Sequence, residues 1–182
     1  MARRRAEDLK VISGTGGDLA EGARSDSARQ DAELFVSPES GERYIFSDQV
    51  GHLLRKAYQR HVAIFQDLSV ESQLTSVQFA VLCALAESGP ASLTEIGRMT
   101  AIDPATMRGI VQRLKTRELV NVLADPSDGR KLLLVLTDEG RDLIRRMVPN
   151  SFKITEATLN GLNIAEQTAL VFLLKKLIDT AQ

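Results

Sequence analysis

Two short helices separated by a tight turn lie in the middle of this sequence, and they constrain its fold more than any other feature. Ser92 and Glu95 form a Ser-x-x-Glu capping box, which predicts that a short helix begins there. Asp103 followed by Pro104 predicts the start of the next helix, because Asp is a good N-cap and the first helical residue needs no amide hydrogen. Residues 100–102 then form the turn between the two helices.

The second of these helices has one apolar face and one polar face. Its apolar residues recur at helical spacing and should be buried: Met107, Ile110, Val111 and Leu114. The opposite face combines small and long polar residues: Ala105, Gly109, Gln112 and Thr116, flanked by Thr106, Arg108 and Arg113. A helix that enters a DNA major groove needs such a face, since Arg pairs with guanine and Gln with adenine. The alternative is an ordinary amphipathic helix with a solvated outer face, and this helix alone does not decide between them.

Two strands follow the second helix. Residues 119–124 and 131–136 have the composition of strands, and the loop between them carries Pro126 and Gly129 at turn positions. Helix, turn, helix and hairpin is the order of a winged helix-turn-helix domain, a mainly α fold with a small β-hairpin. Arg130 lies near the tip of this wing, where a guanidinium can enter a minor groove. We expect Asp128 to hold that guanidinium in place by a bidentate ion pair.

The distribution of charge favours the same part of the chain as a DNA-binding surface. The whole chain has a net charge of −1, which argues mildly against a nucleic-acid partner. Residues 92–131, however, carry seven Lys and Arg against five Asp and Glu, a balance of +2. The residues predicted to contact double-stranded DNA are Ser92, Thr94, Thr106, Arg108, Gln112, Arg113, Asp128, Arg130 and Lys131.

Long segments flank the predicted DNA-binding lobe, which we place at about residues 75–137 and which contains the two short helices and the wing. Residues 1–43 are rich in Gly, Ser, Asp, Glu and Arg and should form a disordered tail. Residues 44–182 should then form a single domain. Besides the two short helices, helical periodicity runs over about 46–68, with Ser47 as N-cap, and over 75–87, 138–159 and 164–180.

The last helix carries a broad apolar stripe that includes Leu170, Leu173, Leu174 and Leu177. One neighbouring helix cannot hide so wide a stripe, which predicts a partner helix from this chain or from a second copy. We therefore expect the helices over 46–68 and 138–180 to be the dimerisation helices of a homodimer. No apolar run is long enough to cross a membrane.

Several motifs together resemble those of the MarR family of bacterial transcriptional regulators, over roughly residues 46–180. The motifs are Ser92-Leu93-Thr94-Glu95-Ile96-Gly97, Asp103-Pro104-Ala105-Thr106, Val111-Gln112-Arg113-Leu114 and Asp125-Pro126-Ser127-Asp128-Gly129-Arg130-Lys131, which runs on into Val135-Leu136-Thr137-Asp138-Glu139-Gly140. Gly129 replaces the first Arg of the family's usual Asp-Arg-Arg wing, which puts one phosphate contact in doubt. The resemblance implies an obligate dimer on a pseudo-palindromic operator and a small ligand, often an aromatic acid, that releases DNA.

The first helix is similar to a narrower subgroup, the repressors of aromatic-acid catabolism, which includes the BpsR type and the repressors of nicotinic acid degradation. The resembling residues are Asp48-Gln49-Val50-Gly51-His52-Leu53-Leu54-Arg55 and Gln59-Arg60-His61. This resemblance implies a hydroxylated nicotinic acid as the effector. The predicted ligand-binding residues are His52, Tyr58, Gln59, Arg60 and His61. His61 lies on the apolar stripe of the helix, so it is either a core histidine bonded to backbone or a ligand-pocket histidine.

Particular residues bear on three other functions: a redox-responsive regulator, a protein-binding winged helix and an enzyme. Cys83, the single cysteine, would allow a redox-responsive regulator, but it lies in an apolar run without a nearby base, and a buried unreactive thiol is the other interpretation. A winged helix that binds another protein is a further alternative, although Gln112, Arg113 and Arg130 argue against it. An enzyme is not indicated, because the carboxylates do not converge, and neither a metal site nor a cofactor is predicted. With no secretory signal and no disulfide, we expect a cytoplasmic protein.

Overall fold

A computed structural model describes residues 34–179. Within them the chain forms six α-helices, a short 3-10 turn and one two-stranded antiparallel sheet. The elements in chain order are α1 (Val50–Leu68), α2 (Ser76–Ser88), α3 (Leu93–Thr100), α4 (Pro104–Thr116), β1 (Val120–Ala124), β2 (Leu132–Leu136), α5 (Asp138–Leu159) and α6 (Ile164–Asp179). This order confirms the predicted mainly α, winged-helix class.

The described residues divide after Leu53 into two compact units, a smaller one that ends there and a larger one that begins at Leu54. In the smaller unit, Val36 and Arg43 form an antiparallel bridge, and the rings of Phe35 and Tyr44 stack with centroids 6.3 Å apart. Gly41 has a φ of 71° in the turn of this small hairpin, a conformation that favours glycine. The hairpin falls within the last residues of the predicted tail, whereas residues 1–33 lie outside the described part.

The predicted N-cap of α1 is wrong. Ser47 lies inside a short 3-10 turn, Phe46–Asp48, and its hydroxyl donates to the Asp48 carboxylate at 3.2 Å. Gln49 has an extended backbone, with φ −70° and ψ 131°, and therefore separates this turn from α1. The first amide of the helix to bond back is that of Leu53, which donates to the Gln49 carbonyl at 2.9 Å.

The core of the larger unit lies where α2, α3 and α4 meet the hairpin formed by β1 and β2. The fully buried residues include Leu82, Ile96, Met107, Leu114, Leu134 and Leu143. The two strands pair from Val120 opposite Leu136 to Ala124 opposite Leu132. The Leu134 amide also donates to the Ala91 carbonyl at 2.8 Å, and the Ala91 amide donates back at 3.2 Å. The segment before α3 is thus bonded to the wing, which holds the two short helices beside the hairpin.

Helix α5 begins directly against the link between α4 and β1. Thr137 caps the helix by accepting from the Gly140 amide at 3.0 Å, and its hydroxyl donates to the Glu118 carbonyl at 2.7 Å. Gly140 is buried against the Leu119 carbonyl, where an added Cβ would overlap the oxygen. Only glycine fits there, and it lets α5 begin directly against the link between α4 and β1.

No residue of helix α6 is fully buried within the single chain, and of its leucines only Leu174 is half-buried. Its exposed large apolar residues are Ile164, Leu170, Val171, Phe172, Leu173, Leu177 and Ile178. Exposed Val50, Leu53 and Leu54 add apolar surface on α1. None of the helices between residues 34 and 179 is long and apolar enough to span a membrane.

Candidate nucleic-acid interface

The turn between α3 and α4 is built from caps on both sides. Ser92 and Glu95 form the predicted capping box at the start of α3, and Asp103 accepts from the Ala105 and Thr106 amides at 3.0 Å. Between them Ala101 adopts a left-handed conformation, with φ 53°, and the Ile102 amide donates to the Gly97 carbonyl at 3.0 Å. The two helices are therefore joined by a closed turn that fixes the direction in which α4 leaves it.

Hydrogen bonds to these caps lower the pKa of both carboxyl groups. The pKa of Glu95 is lowered first by the bonds from Ser92, whose amide donates to Oε2 at 2.8 Å. The pKa of Asp103 is lowered first by its bonds with Thr106. Both carboxyl groups are therefore ionised at neutral pH, and both can accept the hydrogen bonds of the helix caps there.

Helix α4 separates its buried and exposed residues as the sequence predicts. Met107, Ile110, Val111 and Leu114 are buried in the core. Of the opposite face, Ala105, Thr106, Arg108, Gln112, Arg113 and Thr116 are exposed, and Gly109 is half-buried. A continuous polar face on the second helix of the motif is the arrangement that reads base edges in a major groove.

The arginines differ in whether a carboxylate neutralises them. In α5, Arg141 and Arg145 each pair with an aspartate three residues earlier. Arg108, Arg113 and Arg130 are exposed, and none of them forms an ion pair with a residue of the described range 34–179. Cations without a carboxylate partner are available to phosphates and guanines, and here they lie on α4 and on the wing.

The wing loop has a different internal bond from the one that we expected. Asp128 does not form a bidentate pair with Arg130; its Oδ1 accepts from the Arg130 amide at 3.2 Å. The carboxylate lies 3.9 Å from the Lys131 ammonium instead. This bond joins Asp128 to the amide two residues later and so uses the Arg130 backbone rather than its guanidinium. Asp128 thus shapes the loop, and Arg130 stays exposed.

Asp125 gives the wing loop its second internal support. Its carboxylate accepts from the Ser127 hydroxyl at 2.7 Å and from the Ser127 amide at 2.8 Å. These bonds lower its pKa, with the Ser127 hydroxyl as the largest cause. The Asp125 amide also donates to the Lys131 carbonyl at 2.9 Å, which closes the loop at its base.

The remaining predicted DNA contacts lie on α3 and beside it. Ser92 is half-buried, and its hydroxyl is used by the capping box, where it donates to Glu95 at 2.7 Å. Thr94 is exposed and lines an open groove between α3 and α4, with a volume of about 530 Å³. Arg98 and Arg108 line the same groove. The structure therefore brings Thr94 close to the predicted α4 contacts, whereas the Ser92 hydroxyl is engaged in its own helix cap.

A second cavity lies behind the helix-turn-helix, between α1 and α2. Its volume is about 380 Å³, and it is lined by Tyr58, His61, Ser76, Val77, Ala80, Thr100, Ala101 and Ile102. His61 is half-buried, and its Nδ1 lies 3.1 Å from the Thr158 hydroxyl of α5. The ring of Tyr58 is 6.4 Å from that of His61. His61 is thus held by a side chain rather than by backbone, and it lies at a cavity rather than in the core.

The other three predicted ligand residues lie outside that lining. Arg60 donates to the Ala157 carbonyl at 3.4 Å, and Gln59 is exposed. In the smaller unit, the ring of His52 lies against Phe46, with centroids 4.2 Å apart. Of the five predicted residues, the structure brings together Tyr58 and His61.

Cys83 lies half-buried in α2. Burial raises the pKa of its thiol, and the nearby Glu87 carboxylate raises it further. Since the thiolate is the reactive form of cysteine, this environment favours an unreactive thiol. Between residues 34 and 179 no cluster of three or more His, Cys, Asp or Glu could hold a metal ion.

Comparison with known proteins identifies the class of this fold. A sequence model of the MarR family matches residues 74–132, from the loop before α2 to the wing. Over 144 residues the chain is 49% identical to the HTH-type transcriptional repressor NicR of Pseudomonas putida, covering 79% of this chain and 91% of NicR. The chain belongs to the MarR family. It is a DNA-binding transcriptional regulator, and its homologues are regulators rather than enzymes.

Solved structures of MarR-family proteins match the same fold. Bordetella bronchiseptica BpsR, whose DNA binding is regulated by 6-hydroxynicotinic acid, is 54% identical with a TM-score of 0.71, covering 76% of this chain and 99% of BpsR. Streptomyces coelicolor PcaV, solved with its natural ligand, is 32% identical with a TM-score of 0.69, covering 76% of this chain and 97% of PcaV. A MarR mutant from E. coli bound to operator DNA shares the fold at a TM-score of 0.67.

Sequence reasoning missed most of the lining of the cavity in this MarR-family fold. Ser76, Val77 and Ala80 come from α2, and residues 100–102 come from the turn before α4. In the sequence, α2 has the pattern of a core helix and residues 100–102 have the pattern of a turn, and neither pattern indicates a ligand cavity. Only the packing of α1 over both segments shows that they share one cavity.

Proposed function

We propose that this protein is a homodimeric repressor that binds a pseudo-palindromic operator and is released by a small aromatic carboxylate. The favoured effector is a hydroxylated nicotinic acid, and the regulated genes are those of nicotinate-type catabolism. The observation that carries this proposal is the cavity of Tyr58 and His61, whose wall includes the turn that positions α4. The names of two relatives at 49% and 54% identity support the choice of effector and genes. A protein that acts on chromosomal DNA in this way works in the cytoplasm.

Operator recognition is assigned to α4 and the wing. In this proposal α4 enters the major groove, with Gln112 and Arg113 on base edges and Thr106 and Arg108 on phosphates or bases. Arg130 of the wing lies in the neighbouring minor groove, and Thr94 and Lys131 add phosphate contacts. The unpaired state of Arg108, Arg113 and Arg130 supports this assignment, because no internal ion pair has to break when DNA binds.

Dimerisation is assigned to α1, α5 and α6. Most of the large apolar residues of α6 are exposed in the single chain, and a second copy would remove them from water. A two-fold axis through these helices presents two copies of α4 to successive turns of a major groove. That symmetry is what makes a pseudo-palindromic operator the expected target.

The effector is assigned to the cavity behind the helix-turn-helix. An aromatic ring fits the apolar side chains of Val77, Ala80 and Ile102, and a carboxylate can accept a hydrogen bond from the His61 imidazole. The Tyr58 hydroxyl is available for a ring hydroxyl or a ring nitrogen. A ligand in this position presses on residues 100–102, so it can favour an orientation of α4 that does not match the operator.

Binding and release can be measured separately. A gel shift on the upstream region of the protein's own gene tests operator binding, and its absence would favour a protein-binding winged helix. A thermal-shift screen of aromatic acids then tests the effector. We expect 6-hydroxynicotinic acid to raise the melting temperature and to release the operator.

The cavity is tested by two histidine variants. His61→Ala should bind the operator with unchanged affinity but lose its response to the acid, since the carboxylate loses its partner. His52→Ala is the matched control, because its ring contacts Phe46 and does not line the cavity. An effector response that survives in His61→Ala and disappears in His52→Ala would contradict this assignment.

A further inference from the structure

The loop between α1 and α2 is bonded to helix α5 through its backbone. The side-chain amide of Asn150 donates to the Leu68 carbonyl at 2.8 Å, at the end of α1. The Val70 amide lies 3.4 Å from the sulfur of Met147. Leu74, at the other end of the loop, is completely buried, and its amide donates to the Glu71 carbonyl at 3.0 Å. These hydrogen bonds and the burial of Leu74 hold the loop in place beside α5.

A single carboxylate in this loop binds two arginines from different helices. Glu71 Oε2 accepts from Arg117, the C-cap residue of α4, and Oε1 accepts from Arg146 of α5 at 2.8 Å. The Arg117 guanidinium also donates to the Gln73 carbonyl at 3.4 Å. The side chains of Glu71 and Arg117 are only 30% and 21% exposed. Partial burial and charge on both partners make the bond between Glu71 and Arg117 stronger than those of open surface pairs, whereas the Arg146 side chain is 58% exposed.

The other arginine pairs of α5 differ in what they join. Asp138 with Arg141 and Asp142 with Arg145 are spaced by three residues, so each pair stays on one helix. Such pairs support the helix that carries them. The pairs of Glu71 instead connect the end of the DNA-reading helix to a helix assigned to the dimer.

We propose that Glu71 is a positioning residue for operator recognition, whose carboxylate sets the position of α4 relative to α5 and so selects the half-site spacing. This inference rests on the proposed function, since it needs a dimer on two half-sites. In such a dimer the separation of the two α4 helices follows from how each is attached to its own dimerisation helices. One base pair changes the half-site separation by about 3.4 Å and rotates it by roughly a tenth of a turn. A rigid attachment therefore distinguishes spacings that differ by one base pair.

The test compares spacing profiles of the full-length chain. Wild-type protein first selects an operator from random duplexes, and one base pair is then inserted or deleted at its centre. Glu71→Gln removes the charge but keeps the size of the side chain. We expect each one-base-pair change to lower wild-type affinity roughly tenfold or more, and to lower Glu71→Gln affinity less than about threefold. Affinity for unrelated DNA should be equal in the two proteins, since the arginines of α4 and the wing are unchanged.

Two further variants separate positioning from simple loss of stability. Arg146→Gln removes only the bond between Glu71 and α5. It should make affinity depend less on half-site spacing in the same way, and it provides the test even if Glu71→Gln fails to fold. Asp142→Asn breaks a pair within α5 and should keep the wild-type profile. If Glu71→Gln or Arg146→Gln lowers the melting temperature but keeps a sharp optimum, Glu71 is merely structural and the inference is wrong. If the wild-type protein selects no duplex with two half-sites, the proposed function fails as well.

Discussion

At the scale of single residues, Gly109 lies in the middle of α4, on the face that we assign to DNA. A Cβ built at this position meets only the Arg113 guanidinium, at 3.7 Å, which is an ordinary contact. The fold of the free protein therefore does not require glycine there. Glycine in a helix costs about 0.8–1.0 kcal/mol relative to alanine, so its presence points to a need outside the free protein.

We expect Gly109→Ala to raise stability and to weaken operator binding. The gain should be up to about 1 kcal/mol in the free energy of unfolding, from helix propensity alone. The added methyl group would lie on the face assigned to the major groove and should lower operator affinity several-fold. Denaturant unfolding and a binding titration measure the two effects. Gly51→Ala in α1 is the control, because no atom lies within 4 Å of its Cβ position, and it should leave DNA affinity unchanged.

At the scale of elements, the turn between α3 and α4 contains a strained residue. Ala101 has a φ of 53°, a left-handed conformation that costs a residue with a Cβ about 1–2 kcal/mol. Ala101→Gly should relieve that strain, and after the larger entropy of glycine in the unfolded chain about 0.5–1 kcal/mol of stabilisation should remain. Ala105→Gly, at the second residue of α4, should instead destabilise the protein, by up to about 1 kcal/mol. Thermal unfolding of both variants measures the two changes in stability. If both variants are stabilised, or both are destabilised, this description of the turn is contradicted.

The wing and α4 should contribute differently to DNA binding. Arg130→Ala should weaken binding to the operator and to unrelated DNA by similar factors, because a wing guanidinium senses groove shape and phosphate. Gln112→Ala or Arg113→Ala should relax sequence preference, at about 1–3 kcal/mol for each lost base contact. Competition against scrambled duplexes separates the two effects. Wild-type binding by both the Arg113 and the Arg130 variants would show that the groove assignment is wrong.

At the scale of the whole molecule, the exposed apolar face of α6 predicts the oligomeric state. Leu173 is 58% exposed in the single chain, and Leu123 of the wing is 54% exposed. Leu173→Glu should convert the dimer into a monomer and abolish tight operator binding, since a charge buried in an apolar interface is costly. Leu123→Glu should keep the dimeric mass, because that residue lies on the wing. Light scattering on dilute protein measures both masses, and a folded wild-type monomer at micromolar concentration would overturn the dimer.

Local signals in the sequence were sufficient for the order of elements and for the face of α4. The capping box at Ser92, the N-cap at Asp103 and the spacing of the buried stripe of α4 all act within four residues of the chain. Interactions of that range depend little on the rest of the fold, so patterns of spacing and residue type report them directly. Ser47 shows the limit of the same reasoning, because a suitable N-cap residue was used by a short turn instead.

The tertiary structure alone decided the features that join distant segments. The cavity of His61 combines α1 with α2 and with the turn at residues 100–102. Glu71 meets Arg117 and Arg146, which are 46 and 75 residues away in sequence. Such contacts depend on how helices pack, and many packings are compatible with the same amphipathic pattern. The sequence by itself therefore determined the elements that we assign to DNA reading, whereas packing formed the cavity proposed for an effector and the attachment of these elements to the helices assigned to the dimer.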